Sequence, residues 1–228
     1  MKLRNQLKDY LHTGASQLRG IPSRLQRSTR LHQAALPAAV LTLAVTSCST
    51  LPTVNPTDNL CNIFSTKSSW HRAAIDMQQK WQVPLHVPMA VMFHESKFQH
   101  DAKPPRRYVL GVIPGKRRSS AYGYAQAIDS TWAAYVDQTN NFGAQRTNFY
   151  DAMDFIGWYF GKSKKLEDIN KSDAYNQYLA YHEGWTGYRR ASYDAKPWLI
   201  RVAGEVAQTS ERYKREYQSC AASITARL

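Results

Sequence analysis

Three short stretches place reactive side chains in order along this sequence: His94-Glu95-Ser96-Lys97-Phe98, Ser120-Ala121-Tyr122-Gly123-Tyr124-Ala125-Gln126 and Ala180-Tyr181-His182-Glu183-Gly184-Trp185. The surroundings of Glu95 carry the chemistry. Met89, Ala90, Val91, Met92 and Phe93 precede it and Phe98 follows. Partial desolvation among such groups disfavours the charged carboxylate and raises its pKa. A carboxyl that keeps its proton near neutral pH is a general acid, and glycoside cleavage needs one to protonate the leaving oxygen while an oxocarbenium-like state develops. Gln126 offers an amide that both donates and accepts, as a sugar hydroxyl or acetamide group requires. Tyr181 adds a hydroxyl, and Tyr122, Tyr124, Trp185 and Tyr188 have flat faces on which sugar rings can pack. Each residue also fits a plainer place: Glu95 in an ion pair, Gln126 closing a turn, the aromatics in a core.

Other chemistries find less support. The pairs His94-Glu95 and His182-Glu183 invite a metal, but the zinc-protease pattern needs a second His four residues after the first, and position 98 is Phe. No Cys/His ligand spacing occurs elsewhere, so no metal and no cofactor is expected. Walker A, Gly-x-Gly-x-x-Gly and Gly-x-Ser-x-Gly patterns are missing, which leaves no case for nucleotide or serine-esterase chemistry.

In order and spacing the three stretches resemble the lytic transglycosylases of the soluble-lytic-transglycosylase (SLT) family, whose domain has a lysozyme-like α fold. The family pattern is Glu-Ser with an aromatic two residues on, then a Gly-Leu-Met-Gln-like stretch, then Ala-Tyr-Asn-x-Gly. Here these are Glu95-Ser96 with Phe98, Gly123-Tyr124-Ala125-Gln126, and Ala180-Tyr181-His182-Glu183-Gly184. The resemblance covers roughly residues 85–190. It implies that Glu95 is the catalytic acid and base, that Gln126 binds sugar, and that Tyr181 puts a hydroxyl near the catalytic carboxylate. Ser96, Tyr122, Tyr124, His182 and Trp185 join the substrate-binding candidates. The chain departs from the pattern at His182, where the family has Asn, at Glu183, at Tyr124-Ala125, and in a longer interval between Glu95 and Gly123.

The resemblance also implies a mechanism. Glu95 protonates the bond between N-acetylmuramic acid and N-acetylglucosamine, then takes the proton of the C6 hydroxyl, which attacks in place of water and leaves a 1,6-anhydro sugar. Ordinary hydrolases add a second carboxylate. Asp101, Asp129 and Glu183 are the candidates, and none matches a family position. A hydrolytic muramidase of the same fold, and a non-catalytic peptidoglycan-binding envelope lipoprotein, are the competing readings.

The elements that must hold these residues are read from helical spacing. Trp70, Ala73, Ala74, Met77 and Trp81 form one helix face after a Ser/Thr-rich cap region. Pro88 is expected to open the next helix, from Met89 to about Phe98. Asp129 or Ser130 caps a helix through Val136; Phe149, Met153, Ile156 and Phe160 mark another; Asp173 to His182 is helical and stops at Gly184. Leu199, Val202, Val206, Tyr213 and Tyr217 mark the last. Between about Pro104 and Ser120 a short apolar run lies between two basic clusters, and β-branched residues with Pro114-Gly115 predict a hairpin or long loop near the active site. The fold class is therefore mainly α.

Length and composition fix the setting. The chain has 228 residues, 30 Lys plus Arg against 17 Asp plus Glu, six Trp, fourteen Tyr, seven Phe and three Cys. Such aromatic content argues against disorder, and so few cysteines against a disulfide-dense scaffold. Mean hydropathy is -0.54, and no run of about 20 apolar residues is present. Residues 1–48 read as a lipoprotein signal: Lys2, Arg4, Lys8, Arg19, Arg24, Arg27 and Arg30, then an apolar stretch from Ala34 to Val45, then Val45-Thr46-Ser47-Cys48, which resembles a lipobox. Removing them takes seven basic groups and one acid from the 30 and 17, leaving 23 and 16, a net of +7. Residues 49–60 read as a tether and 61–228 as the domain.

Lipidation of Cys48 leaves Cys61 and Cys220, an even pair suited to a disulfide in an oxidising periplasm, with two separate buried thiols as the alternative. The expected partners are glycan strands of peptidoglycan and, through the lipid on Cys48, a membrane. Ser49 after the lipidated Cys points to the periplasmic face of the outer membrane of a Gram-negative host. The basic balance favours an anionic partner, but no nucleic-acid-binding pattern accompanies it, so nucleic acid is not expected. The domain is expected to act as a monomer.

Overall fold

The computed structural model describes residues 59–109 and 112–226. Cys48, the signal and nearly all of the tether lie outside the described residues. The chain divides after Ser49, and Thr50 to Leu228 is a compact unit of its own. Among its described residues are α1 (Leu60–Thr66), α2 (Ser68–Trp81), α3 (His86–Ser96), a hairpin of β1 (Arg106–Val109) and β2 (Ile113–Arg117), α4 (Asp129–Thr139), α5 (Phe149–Glu167), α6 (Ala174–Arg189), a short 3-10 turn (Ser192–Ala195) and α7 (Pro197–Thr225). The mainly α expectation holds.

Helix α3 is the axis of the core. Every residue from His86 to Met92 is buried, because α5, α6 and α7 all pack against it. Pro88 does not open this helix but stands third in it, which costs nothing because a first-turn N–H has no intrahelical partner to lose. The helix ends earlier than its apolar spacing predicts. Lys97 and Phe98 both take left-handed backbone angles, φ 52° and 59°, so Phe98 turns back into the core and Glu95 is left in the last turn.

The predicted faces pack as amphipathic helices should. Ala73, Ala74 and Met77 of α2 are buried where α2 packs against α5, whose Phe149, Met153, Ile156 and Phe160 are all buried, whereas His71 of α2 faces Phe64 and Tyr217. Trp70 stacks flat on Phe149 at 4.0 Å. α4 is preceded by Ile128, not capped by Asp129 or Ser130. Asp129 is already its first residue and pairs with Arg146 at 2.8 Å.

The hairpin pairs antiparallel, Arg106 with Arg117, Tyr108 with Pro114 and Val109 with Ile113. Its reversal is not at Pro114-Gly115, which lie within β2, but between Val109 and Ile113. Cys61 of α1 and Cys220 of α7 form a disulfide across 159 residues of sequence. It ties the first described helix, capped by the Asn59 side chain, to the last.

Candidate active site

A cavity of about 500 Å³ opens where the end of α3, the loop before α4, and the middle of α6 converge. Glu95, Gln126, Tyr181, His182 and Glu183 all line it. Pro104 and Ser119 line it too, so both feet of the hairpin stand at its edge.

Glu95 arrives there because α3 is apolar on all sides and stops one residue later. Burial pushes its carboxyl up to about 7, and a hydrogen bond donated by the Tyr178 hydroxyl acts the other way. The C-terminal end of a helix also disfavours a carboxylate, in the same direction as burial. The group is thus a carboxyl that holds or loses a proton around neutral pH, facing a cavity. Its neighbour His94 points elsewhere: its Nε2 meets Thr209 Oγ1 of α7 at 3.0 Å. Burial, with the nearby Lys97 charge, holds that ring down at about 4.

Tyr181 is close enough for the Glu95 charge to raise its pKa well above 10, after burial, the larger cause. Its hydroxyl, however, donates to the Ala125 carbonyl at 2.6 Å. The phenol bonded to Glu95 is Tyr178, three residues earlier and on the same face of α6. Sequence reasoning missed it, although that spacing from Tyr181 was the available signal.

Gln126 sits on a loop folded tightly against its surroundings. Gly123 takes φ 77°, and a Cβ there would stand 2.1 Å from the Arg146 carbonyl oxygen, so only glycine fits. Gln126 Nε2 donates to the carbonyls of Ala102 and Gly123, both at 2.8 Å, leaving its amide oxygen to meet a ligand.

The third stretch turns at Gly184, where φ 71° and ψ 160° break α6 into two helical pieces. This matches the expected stop, although helix resumes at Trp185. Before the break, His182 Nδ1 lies 3.0 Å from Glu183 Oε1. Glu183 also accepts from Lys196 Nζ at 2.7 and 2.9 Å and from the Ser192 hydroxyl. Burial raises the Glu183 carboxyl, but the bonds from Lys196, Ser192 and His182, with the Lys196 charge, outweigh it and hold the group at about 2. The cavity therefore contains two carboxyls with opposite environments, one protonatable near neutrality and one locked as an anion. No sequence pattern foretold Lys196 or Ser192 as partners.

Five of the binding candidates lie apart from the cavity; one is Tyr188, whose hydroxyl donates to Asn176 Oδ1 at 3.0 Å and whose ring lies against Tyr193. Tyr124 is buried, edge-on to Trp70 and Phe149, so it is a core aromatic. Ser96 is buried, and its hydroxyl donates to the Met92 carbonyl within the same helix. Trp185 stacks on Tyr159 at 4.6 Å and donates Nε1–H to Ser163 Oγ. Tyr122 carries the Lys103 ammonium and the Arg146 guanidinium against its ring. Among the described residues no group of three or more His, Cys, Asp or Glu side chains is placed to hold a metal ion.

A family model described as the transglycosylase SLT domain matches residues 36–220. No curated protein and no solved structure matches the chain.

Proposed function

The chain belongs to the SLT transglycosylase family, and from that premise we propose that Glu95 serves as both acid and base in cutting peptidoglycan. Membership makes this a lytic transglycosylase domain with peptidoglycan as its substrate class. In the proposed reaction Glu95, protonated, gives its proton to the oxygen linking N-acetylmuramic acid to N-acetylglucosamine. As a carboxylate it then takes the C6 hydroxyl proton, and that oxygen closes the 1,6-anhydro ring. The observation that carries this reading is a carboxyl held at about 7 inside the cavity, since one group must be acid and then base in the same turnover. Gln126, Tyr181 and His182 are the proposed sugar contacts. Lipidation at Cys48 and residence at the outer membrane belong to the same proposal and rest on the sequence alone.

Glu183 favours a second reading. A carboxylate in the same cavity is what a hydrolytic muramidase adds to its acid. Against this role, its oxygens are taken by Lys196, Ser192 and His182, and a group held at about 2 is a weak base.

Thr50 to Leu228, with the disulfide formed, is incubated with peptidoglycan beside the Glu95→Gln variant, and released muropeptides are identified by mass spectrometry. Anhydro-muramyl ends that fall by at least about a hundredfold in the variant are expected, the scale of a lost general acid. Reducing muramyl ends would move the assignment to hydrolysis with Glu183. No product from a folded protein that still sediments with the wall would leave a binding domain.

A further inference from the structure

The hairpin gathers exposed apolar and basic side chains in one short segment. Tyr108, Val112 and Ile113 are 61%, 76% and 55% exposed, and they cluster around its reversal. Toward its base lie Arg106, Lys116, Arg117 and Arg118, and no acid occurs between Pro104 and Arg118. Among the described residues no carboxylate pairs with any of these four. Arg106 stands directly opposite Arg117 in the ladder, and like charges placed so repel one another. Among the described residues the side chains of these four have one hydrogen-bond partner, the Pro104 carbonyl, which accepts from Arg117. The basic collar is therefore arranged for anions that the described residues do not supply.

An apolar tip above a basic collar has one natural complement. A glycan or a nucleic acid supplies anions but no apolar phase for Val112 and Ile113. A bilayer with anionic lipid supplies both, phosphates at the surface and acyl chains beneath. The dimensions agree: Ile113 to Arg117 spans about 13 Å at strand rise, and an interfacial element buries its apolar part about 5–10 Å below the headgroups. Long Lys and Arg stems make up the difference by reaching toward the phosphates. We propose that the β1–β2 hairpin is a membrane-contact element, with Tyr108, Val112 and Ile113 entering the interface of an anionic phospholipid bilayer and the Arg/Lys collar meeting its phosphates. The hairpin's feet, Pro104 and Ser119, line the cavity, so such docking holds the cavity mouth near the bilayer. This contact is separate from any lipid on Cys48.

The test uses Thr50 to Leu228, which contains the whole described core and the Cys61–Cys220 bridge and lacks Cys48. It is sedimented with vesicles of phosphatidylcholine alone and of phosphatidylcholine mixed with phosphatidylglycerol. Binding to the mixed vesicles only, weakening as salt rises, is expected. Lys116→Ser with Arg118→Ser lowers the partition coefficient roughly 25-fold, at about fivefold per cation near an anionic surface. Val112→Asn with Ile113→Asn lowers it about tenfold, through lost apolar burial. All four positions are exposed, so both variants should melt as the parent does; the parent's lipid and salt dependence is a readout that needs no variant. Parent protein that ignores phosphatidylglycerol, or variants that bind as it does, overturns the proposal. So does loss in the charge variant alone, and retarded duplex DNA in a gel-shift would then assign the collar to nucleic acid. Peptidoglycan is absent throughout, so these outcomes are independent of those for Glu95.

Discussion

Tyr178 and Glu95 form the pair on which the proposed chemistry turns. Burial raises the carboxyl, while the phenol's hydrogen bond favours its ionised form and holds it back to about 7. Removing that bond leaves burial unopposed. In Tyr178→Phe the carboxyl therefore keeps its proton to higher pH, and the alkaline limb of the activity profile, where the acid form is lost, moves up by about 1, the scale of one hydrogen bond to a charged group. Muropeptide release measured across pH in the parent and the variant checks this. A limb that stays put would mean that another group sets it. At this scale the sequence was legible in part. Glu95 stood out because an apolar helix around one carboxyl is a local pattern. Tyr124 and Tyr181 could not be told apart, because burial depends on how distant helices close over each ring. Glu183 showed the same limit, since its partner Lys196 comes from the far side of the 3-10 turn.

Among the elements, α6 is the one whose shape the site depends on. Its break at Gly184 lies in a backbone region that is essentially reserved for glycine. A Cβ at 184 would meet nothing within 4 Å, so replacing this glycine tests conformation without a clash. Gly184→Ala is expected to cost about 1–3 kcal/mol, read as a lower urea midpoint, and to impair glycan cleavage further by shifting His182 and Glu183 from the cavity wall. Unchanged stability and cleavage would show that the break is not needed. Helix faces spelled out by residues three and four apart were readable in advance, α5 above all. α1 was not, since seven residues give too little periodicity and its place depends on Cys61 reaching α7. The hairpin was foreseen but its turn misplaced, because Pro-Gly marks reversals so often that its position inside β2 had no local sign.

The whole domain is closed by one covalent bond between α1 and α7. Loop-closure entropy for a crosslink of this span reaches about 5 kcal/mol, and removing such bridges costs typically about 2–5 kcal/mol. The paired replacement Cys61→Ser with Cys220→Ser is expected to lower the unfolding free energy by that amount while the cavity keeps its geometry, as urea denaturation with and without reductant would show. An unchanged midpoint would mean that α1 contributes through packing alone.

That clasp also sets a mechanical path. The first described helix starts at Leu60, so tension reaching it from the N-terminal side meets Cys61 almost at once and crosses the disulfide into α7. α7 is the long strut against which both α3 and α6 are packed. A pull on the N-terminal side is thus shared directly with the helix behind both catalytic segments, and the α1–α2 junction is spared from unzipping. In the reduced protein the same pull would peel α1 away first, turning a braced attachment into a slack one.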